Sequence, residues 1–340
     1  MRLFKVASIF SFLFCFLLTA NAAFAKERQG EVTIQFNLNA PADAKNVRLW
    51  IPYPVSDENQ DIWDIKVSGN FSNSGVFREG ENGNMALHAE WNGHSKERTL
   101  TYTFKVKRKE GVKKDFSEKE LPFSRGEFKK YLKATSLGPN TGKVKEYADK
   151  ITKGKETSLE KARAIYDWIA NNMHRDPNVK GCGFGDVEKL IVSLGGKCGD
   201  ISSVFVALSR SAGVPAREIF GIRIPKVKEG DMTKAQHCWA EFYLPGYGWV
   251  PVDPSDVRKA MLERNIKDTK DAKDLVEYFF GAVDESRIAY QTGRDIILNP
   301  KQKSGKLNYF MYPYAEVDGK ALNEDLFGFN LGYKISFKEL

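Results

Sequence analysis

Gly195-Gly196-Lys197-Cys198-Gly199-Asp200, running on through Ile201-Ser202-Ser203-Val204-Phe205-Val206-Ala207-Leu208, is the most informative stretch of this 340-residue chain. The two glycines stop one helix, and a second starts near Cys198. Ile201, Val204, Phe205 and Leu208 then recur at helical spacing on one face. Gly213 stands where a C-terminal cap is wanted, and Pro215 blocks continuation. A cysteine that opens a helix faces unpaired backbone N–H groups and the positive end of the helix dipole, which stabilise a thiolate. The same N–H groups can hold an oxyanion on a substrate carbonyl. A buried structural thiol is the bland alternative; the helix-opening position favours a nucleophile.

Such a nucleophile needs a base, and His237 is the candidate. It opens a strand on which His237, Trp239 and Glu241 share one face while Cys238, Ala240 and Phe242 share the other. Asp253 ends the next strand, across a predicted hairpin turn at Pro245-Gly246. A turn centred on Pro245 sets His237 and Asp253 side by side, whereas a strict two-residue Pro245-Gly246 turn puts Pro254 opposite His237. In the first register Asp253 orients the imidazole; the plain alternative is a strand-end aspartate before a proline.

With these three segments in view the chain resembles the transglutaminase-like superfamily over about residues 157–256. The run from Gly196 to Arg217 is similar to its nucleophile helix, His237-Cys238-Trp239-Ala240-Glu241-Phe242-Tyr243 to its histidine strand, and Gly248-Trp249-Val250-Pro251-Val252-Asp253-Pro254 to its aspartate segment. The order Cys, His, Asp agrees with all three local contexts. The resemblance implies a papain-like α+β core with Cys198 as nucleophile, His237 as base and acid, and Asp253 as orienter. It also implies attack on an amide carbonyl, release of an amine, and passage of the acyl group to water or to another amine. Trp239 and Trp249 are candidates for lining the substrate cleft, with core packing an equal alternative. Asp200 is read as a stabiliser of the helix start.

Outward from this core, the expected architecture is a papain-like transglutaminase core at 157–260 preceded by an antiparallel β-sandwich at 26–110. A connecting helical region covers 111–156, and an aromatic, β-rich C-terminal segment covers 261–340. Val32, Ile34, Phe36 and Leu38, and again Leu100, Tyr102, Phe104 and Val106, alternate with polar residues as half-buried strands do. Val47–Ile51 and Ile62–Val67 add further strands, and the Gly- and Asn-rich stretch 70–84 is expected to hold turns. Thr157 and Glu160 predict a capping box, and Asp186 a helix N-cap. His88 and His94 are expected at the surface.

Residues 1–25 read as an export signal: basic Arg2 and Lys5, an apolar run from Val6 to Leu18, and a small-x-small site at Ala23-Phe24-Ala25. Their removal leaves 315 residues, and the basic excess falls from eight to six. The expected location is therefore periplasmic or secreted, with no integral membrane segment after cleavage. The scattered Lys and Arg argue for a solvated surface and against nucleic-acid binding; an envelope polymer stays as a further candidate partner.

The mature chain keeps three cysteines. If Cys198 is free, Cys182 and Cys238 are the available pair, with Cys238 facing away from His237; both can equally be buried thiols. A Cys182–Cys198 bond would switch the enzyme off. No metal site is expected, because the four histidines are scattered, and no cofactor is implied. Gly181-Cys182-Gly183-Phe184-Gly185 lacks the Lys-Ser/Thr pair of a phosphate loop and reads as a flexible connection. The expected activity is cysteine-dependent acyl transfer on amide bonds of a protein or peptide substrate, with proteolysis or deamidation favoured over cross-linking. The alternative is a non-catalytic envelope-binding protein with a vestigial triad.

Overall fold

The alternating stripe Val32, Ile34 and Phe36 forms the buried face of the strand Glu27–Asn37. In the computed structural model, which describes residues 26–116 and 120–340, this strand sits inside a five-stranded antiparallel sheet. Thr99–Lys109 pairs with one edge, setting Val32 opposite Phe104, and Tyr333–Glu339 pairs with the other, setting Val32 opposite Phe337. Gln60–Gly69 and Glu229–Asp231 complete the sheet. The second five-stranded sheet is ordered Lys320–Ala321, Tyr314–Val317, Asn46–Tyr53, Met85–Asn92 and Asn73–Arg78. The two apolar faces close on one another around Val47, Leu49, Tyr102 and Phe104. The expected signal peptide, residues 1–25, lies outside the described residues.

Two local expectations need correction. The stretch 70–84 holds the edge strand Asn73–Arg78 as well as turns; its low apolar content suits an edge exposed on one side. His88 is buried rather than exposed, its ring 5.0 Å from Trp50 and 6.0 Å from Phe77. Burial, with the nearby Arg48 charge, pushes its pKa down to about 4.

The second half of the chain builds the α+β core. Thr157 Oγ1 accepts from the Glu160 N–H at 3.1 Å, and Glu160 Oε2 accepts from the Thr157 N–H at 3.0 Å. That reciprocal pair starts the helix Ser158–Asn172. Val187–Ser193 follows the Asp186 N-cap, and Cys198–Ser211 follows the two glycines. The last helix is not amphipathic in its surroundings: every residue from Cys198 to Arg210 is buried. Helices Gly142–Ile151, Ser158–Asn172 and Val187–Ser193 and a four-stranded sheet all pack against it, so it is the axis of the core.

That sheet runs Gly248–Val252, Gln236–Leu244, Ala216–Arg223, Arg287–Thr292. The C-terminal segment is thus divided. Arg287–Thr292 joins the core sheet, whereas Tyr314–Val317, Lys320–Ala321 and Tyr333–Glu339 join the sandwich. Ile222 and Ile288 of the core sheet reach into the apolar cluster of the sandwich, so the two layers share packing. Among the described residues no helix is long and apolar enough to cross a membrane.

Candidate active site

The hairpin that carries His237 and Asp253 is wider than expected. Leu244 pairs with Gly248 and Ala240 with Val252, so the loop is the three residues Pro245-Gly246-Tyr247. Gly246 and Gly248 take φ of 91° and 80°, in the left-handed region that a side chain resists. This slides the register by two residues from the expected one: one step beyond Val252, Asp253 comes level with Trp239, not His237. A two-residue slip keeps the face, and the chain then leaves the sheet. Asp253 becomes the N-cap of the helix Pro254–Glu263, where Oδ1 accepts from the Asp256 N–H at 2.9 Å. The Ser255 hydroxyl donates to the same oxygen at 2.7 Å. The other oxygen, Oδ2, stays available and meets His237 Nε2 at 2.7 Å. That contact fixes the Nε2–H tautomer and leaves Nδ1 for a thiol.

Cys198 is the first residue of its helix and is buried at the floor of a cleft of about 430 Å³. Asp200 sets the approach. Its Oδ2 accepts from the Lys197 N–H at 3.0 Å and its Oδ1 from the Gly185 N–H at 2.8 Å, which ties the 181–185 loop to the helix start. The Gly199 N–H donates to the Cys182 carbonyl at 2.8 Å, and a Cβ at Gly183 would lie 1.9 Å from Asp200 Oδ2. The loop read as a flexible connection is therefore fastened to the helix that opens at Cys198, and the Tyr309 hydroxyl adds a hydrogen bond to the Gly183 carbonyl at 2.7 Å.

This fastening brings Cys182 to Cys198. Cys238 arrives as well, because the helix Cys198–Ser211 packs on the face of the strand that carries it. The three sulfurs lie within 4.8 Å of one another, and all three thiols are free. The alternation that directed Cys238 away from His237 does not carry it away from Cys198. The Cys182–Cys238 disulfide considered from the sequence is not formed. The trio is also the one group of cysteines whose spacing could hold an ion among the described residues, a cluster not visible in the sequence spacing.

The electrostatics favour a charged pair. Hydrogen bonding from Cys182, then from Cys238, lowers the Cys198 pKa; burial opposes this, and the hydrogen bond and charge of His237 add to it. The thiol is held well below its ordinary 9.0. Burial and the Arg223 charge disfavour the imidazolium of His237, but Asp256 and Asp253 outweigh them and raise its pKa above 6.5. A thiolate beside an imidazolium is the resting form these opposite shifts select.

Sequence reasoning missed the groups that hold the carboxylates ionised. Arg287 is wholly buried and bonds Asp253 through Nη1; Nη2 lies 2.8 Å from both Asp256 and Asp284. Its Nη1 is also 3.2 Å from His237 Nε2. Burial works against Asp253 ionising, yet the charges of Arg287 and His237 hold its carboxyl far below the usual range. Asp256 stands 3.7 Å from the same imidazole nitrogen and takes a hydrogen bond from Arg223 at 2.6 Å. No local motif marks Arg287; it enters through the strand paired with Ala216–Arg223, where it falls opposite Arg223.

Trp239 and Trp249 do not line the cleft. Trp239 is buried with Ile219 and Val283, its ring stacked 6.4 Å from the His237 ring on the sheet side. Trp249 is half-buried under the Arg217 guanidinium, 4.2 Å above its ring, and beside Tyr131 at 4.6 Å. Gln236, Tyr312 and Phe329 line the cleft instead. A larger hollow of about 680 Å³ beside Ser158–Asn172 is lined by Phe116, Leu159 and Phe280 together with charged residues such as Arg163 and Glu277, and by no cysteine or histidine.

Comparison with known proteins agrees with the fold. Residues 145–254 match the family model of the transglutaminase-like superfamily. The chain is 38% identical over 322 residues to an uncharacterized protein of Haemophilus influenzae, covering 86% of this chain and 87% of that one. It is 27% identical over 191 residues to the uncharacterized protein YebA of Bacillus subtilis, covering 51% of this chain and 25% of that one. Among solved structures, a candidate cysteine protease from Cytophaga hutchinsonii superposes with a TM-score of 0.57 at 17% identity, covering 92% of this chain and 99% of that one.

Proposed function

The chain belongs to the transglutaminase-like superfamily, and from that premise we propose that it is an exported cysteine enzyme that opens amide bonds of proteins or peptides. Hydrolysis, as proteolysis or deamidation, is favoured over cross-linking, since water is abundant and no site for a second amine is evident among the described residues. The observation that carries the reading is the convergence of Cys198, His237 and Asp253 at one buried point, with the thiol pKa lowered and the imidazole pKa raised.

The Cys198 thiolate attacks the amide carbonyl, and the developing oxyanion meets the Cys198 backbone N–H in the first helical turn, where no earlier carbonyl competes. His237, already protonated, gives its proton to the departing amine. The acyl group is left on sulfur. Neutral His237 then takes a proton from water as the water attacks the thioester, which returns the thiolate and the imidazolium. Asp253 holds the ring and its charge through both halves, and Arg287 keeps Asp253 ionised. Export rests on residues 1–25 alone.

The test is product mass. Peptide and protein libraries are incubated with the mature chain and with Cys198→Ala. Cleavage adds the mass of water across two fragments, deamidation adds about one mass unit, and cross-linking joins two species with loss of ammonia. Any of these in the wild type, absent in Cys198→Ala, supports acyl transfer. No turnover of any library favours the envelope-binding alternative.

A further inference from the structure

The cleft above Cys198 is lined by Arg175, Lys197, Arg223, Lys226, Lys234 and Lys259, and by no carboxylate. Composition does not explain this, because the whole chain has 52 basic and 44 acidic residues. Two of the six are engaged: Arg223 with Asp256 and Asp284, and Lys259 with Glu263 at 3.7 Å. The other four have no carboxylate partner among the described residues, whereas many lysines elsewhere do, such as Lys105 with Asp64 and Lys189 with Asp186. Arg175 is the most telling. Arg175 borders the cleft, and its Nη1 is buried without any hydrogen-bond partner. A buried guanidinium N–H without an acceptor is costly, and a carboxylate supplies the acceptor in the geometry that arginine matches best.

Resting on the acyl-transfer reading above, we propose that the cleft selects acidic peptides as acyl donors, with carboxylate side chains beside the amide that is opened. The walls separate the roles. Lys226 and Lys234 are exposed at the mouth, where they draw an anionic segment in. Arg175 and Lys197 are partly buried and close to Cys198, where they meet a carboxylate next to the reacting carbonyl. Tyr312 and Phe329 supply apolar contact, with the Lys234 ammonium 5.9 Å from the Phe329 ring. A basic peptide meets a repulsive field along the same path, so the selection works in both directions.

The experiment compares matched peptides that carry Glu, Gln or Lys on either side of the susceptible amide. It is read in two ways: kcat/KM with the wild type, and binding to Cys198→Ala by fluorescence anisotropy. The Glu peptide is expected to exceed the Gln peptide about tenfold in both, with the advantage falling to about twofold near 0.5 M salt. Lys226→Glu combined with Lys234→Glu is expected to abolish the Glu-over-Gln ratio, and Lys96→Glu, exposed on the sandwich, to leave it intact. Equal handling of Glu and Gln peptides, or a ratio unmoved by the double variant, overturns the proposal. So does inorganic polyphosphate displacing the Glu peptide as well as the peptide competes with itself, which assigns the patch to polyanions in general. The binding readout needs no turnover, so an inactive wild type that still prefers the Glu peptide refutes the acyl-transfer reading and not the charge selection.

Discussion

Arg287→Met removes the one cation that Asp253, Asp256 and Asp284 share, while a flexible apolar chain of similar length fills the space. Asp253 is wholly buried and Asp256 nearly so, and Asp284 is about a quarter exposed. Breaking a buried ion pair from one side costs about 3–5 kcal/mol, because the remaining charge is left uncompensated. The partly exposed Asp284 pair adds less than about 1 kcal/mol. Asp256 keeps Arg223 at 2.6 Å and Asp253 keeps the protonated His237 at 2.7 Å, so each buried carboxylate loses one of two cations. A loss of about 3 kcal/mol, the lower end of that range, is therefore expected near neutral pH. Its pH dependence has a definite sign. The folded-state pKa of Asp253 is depressed below 3.8, so its stabilisation is present above that value and is lost as pH falls through the folded pKa. The gap between wild type and variant is widest near neutrality and narrows in acid. Urea unfolding followed by tryptophan fluorescence from pH 3 to pH 7 is the assay. A variant within about 1 kcal/mol of wild type at pH 7, like an ordinary surface change, refutes the claim that Arg287 compensates the triad carboxylate. So does a deficit that grows in acid.

Three further outcomes are expected. Asp253→Asn keeps a polar partner for His237 but not the charge that stabilises the imidazolium, so kcat on an identified substrate falls by about 10²–10⁴ with little change in KM; an unchanged kcat contradicts the orienting role. The pH dependence of kcat/KM is bell-shaped. Falling pH protonates Cys198 at its lowered pKa and rising pH deprotonates His237 at its raised pKa, so the acid limb falls well below the ordinary thiol value of 9.0 and the alkaline limb above the ordinary imidazole value of 6.5; a single rising limb centred near 9.0 contradicts the pair. Trp249→Ala, which loses the Arg217 and Tyr131 contacts but no cleft wall, lowers the unfolding midpoint while KM stays within about twofold; a large rise in KM would return Trp249 to the cleft.

The legible parts of this protein are those whose signals are local. The glycine pair before Cys198, the Thr157–Glu160 box and the alternating stripe from Val32 to Phe36 each state their structure within a few residues. Cys198, His237 and Asp253 stand out in the sequence because each sits at an element boundary that its neighbours mark. The missed features depend on pairings far apart in sequence. Arg287 reaches Asp253 only because its strand lies against Ala216–Arg223, and Tyr333–Glu339 crosses the whole chain to lie beside Glu27–Asn37. The hairpin register turned on whether Tyr247 belongs to the loop, which Pro245-Gly246 alone does not specify. Strand alternation correctly divided His237 from Cys238, but it carries no information on which helix covers the second face. That helix brings Cys198, so both faces contribute to one sulfur's surroundings.

The rate of iodoacetamide addition to Cys198, followed by intact mass and peptide mapping from pH 4 to pH 10, bears most directly on the central claim. One sulfur is expected to react across the acid and neutral range, with a midpoint well below 9.0, and His237→Ala is expected to move that midpoint back towards the ordinary thiol value. Reaction that begins only near 9.0 in the wild type, and is indifferent to His237, would mean that the side chains meet in space without forming the ion pair on which the chemistry depends.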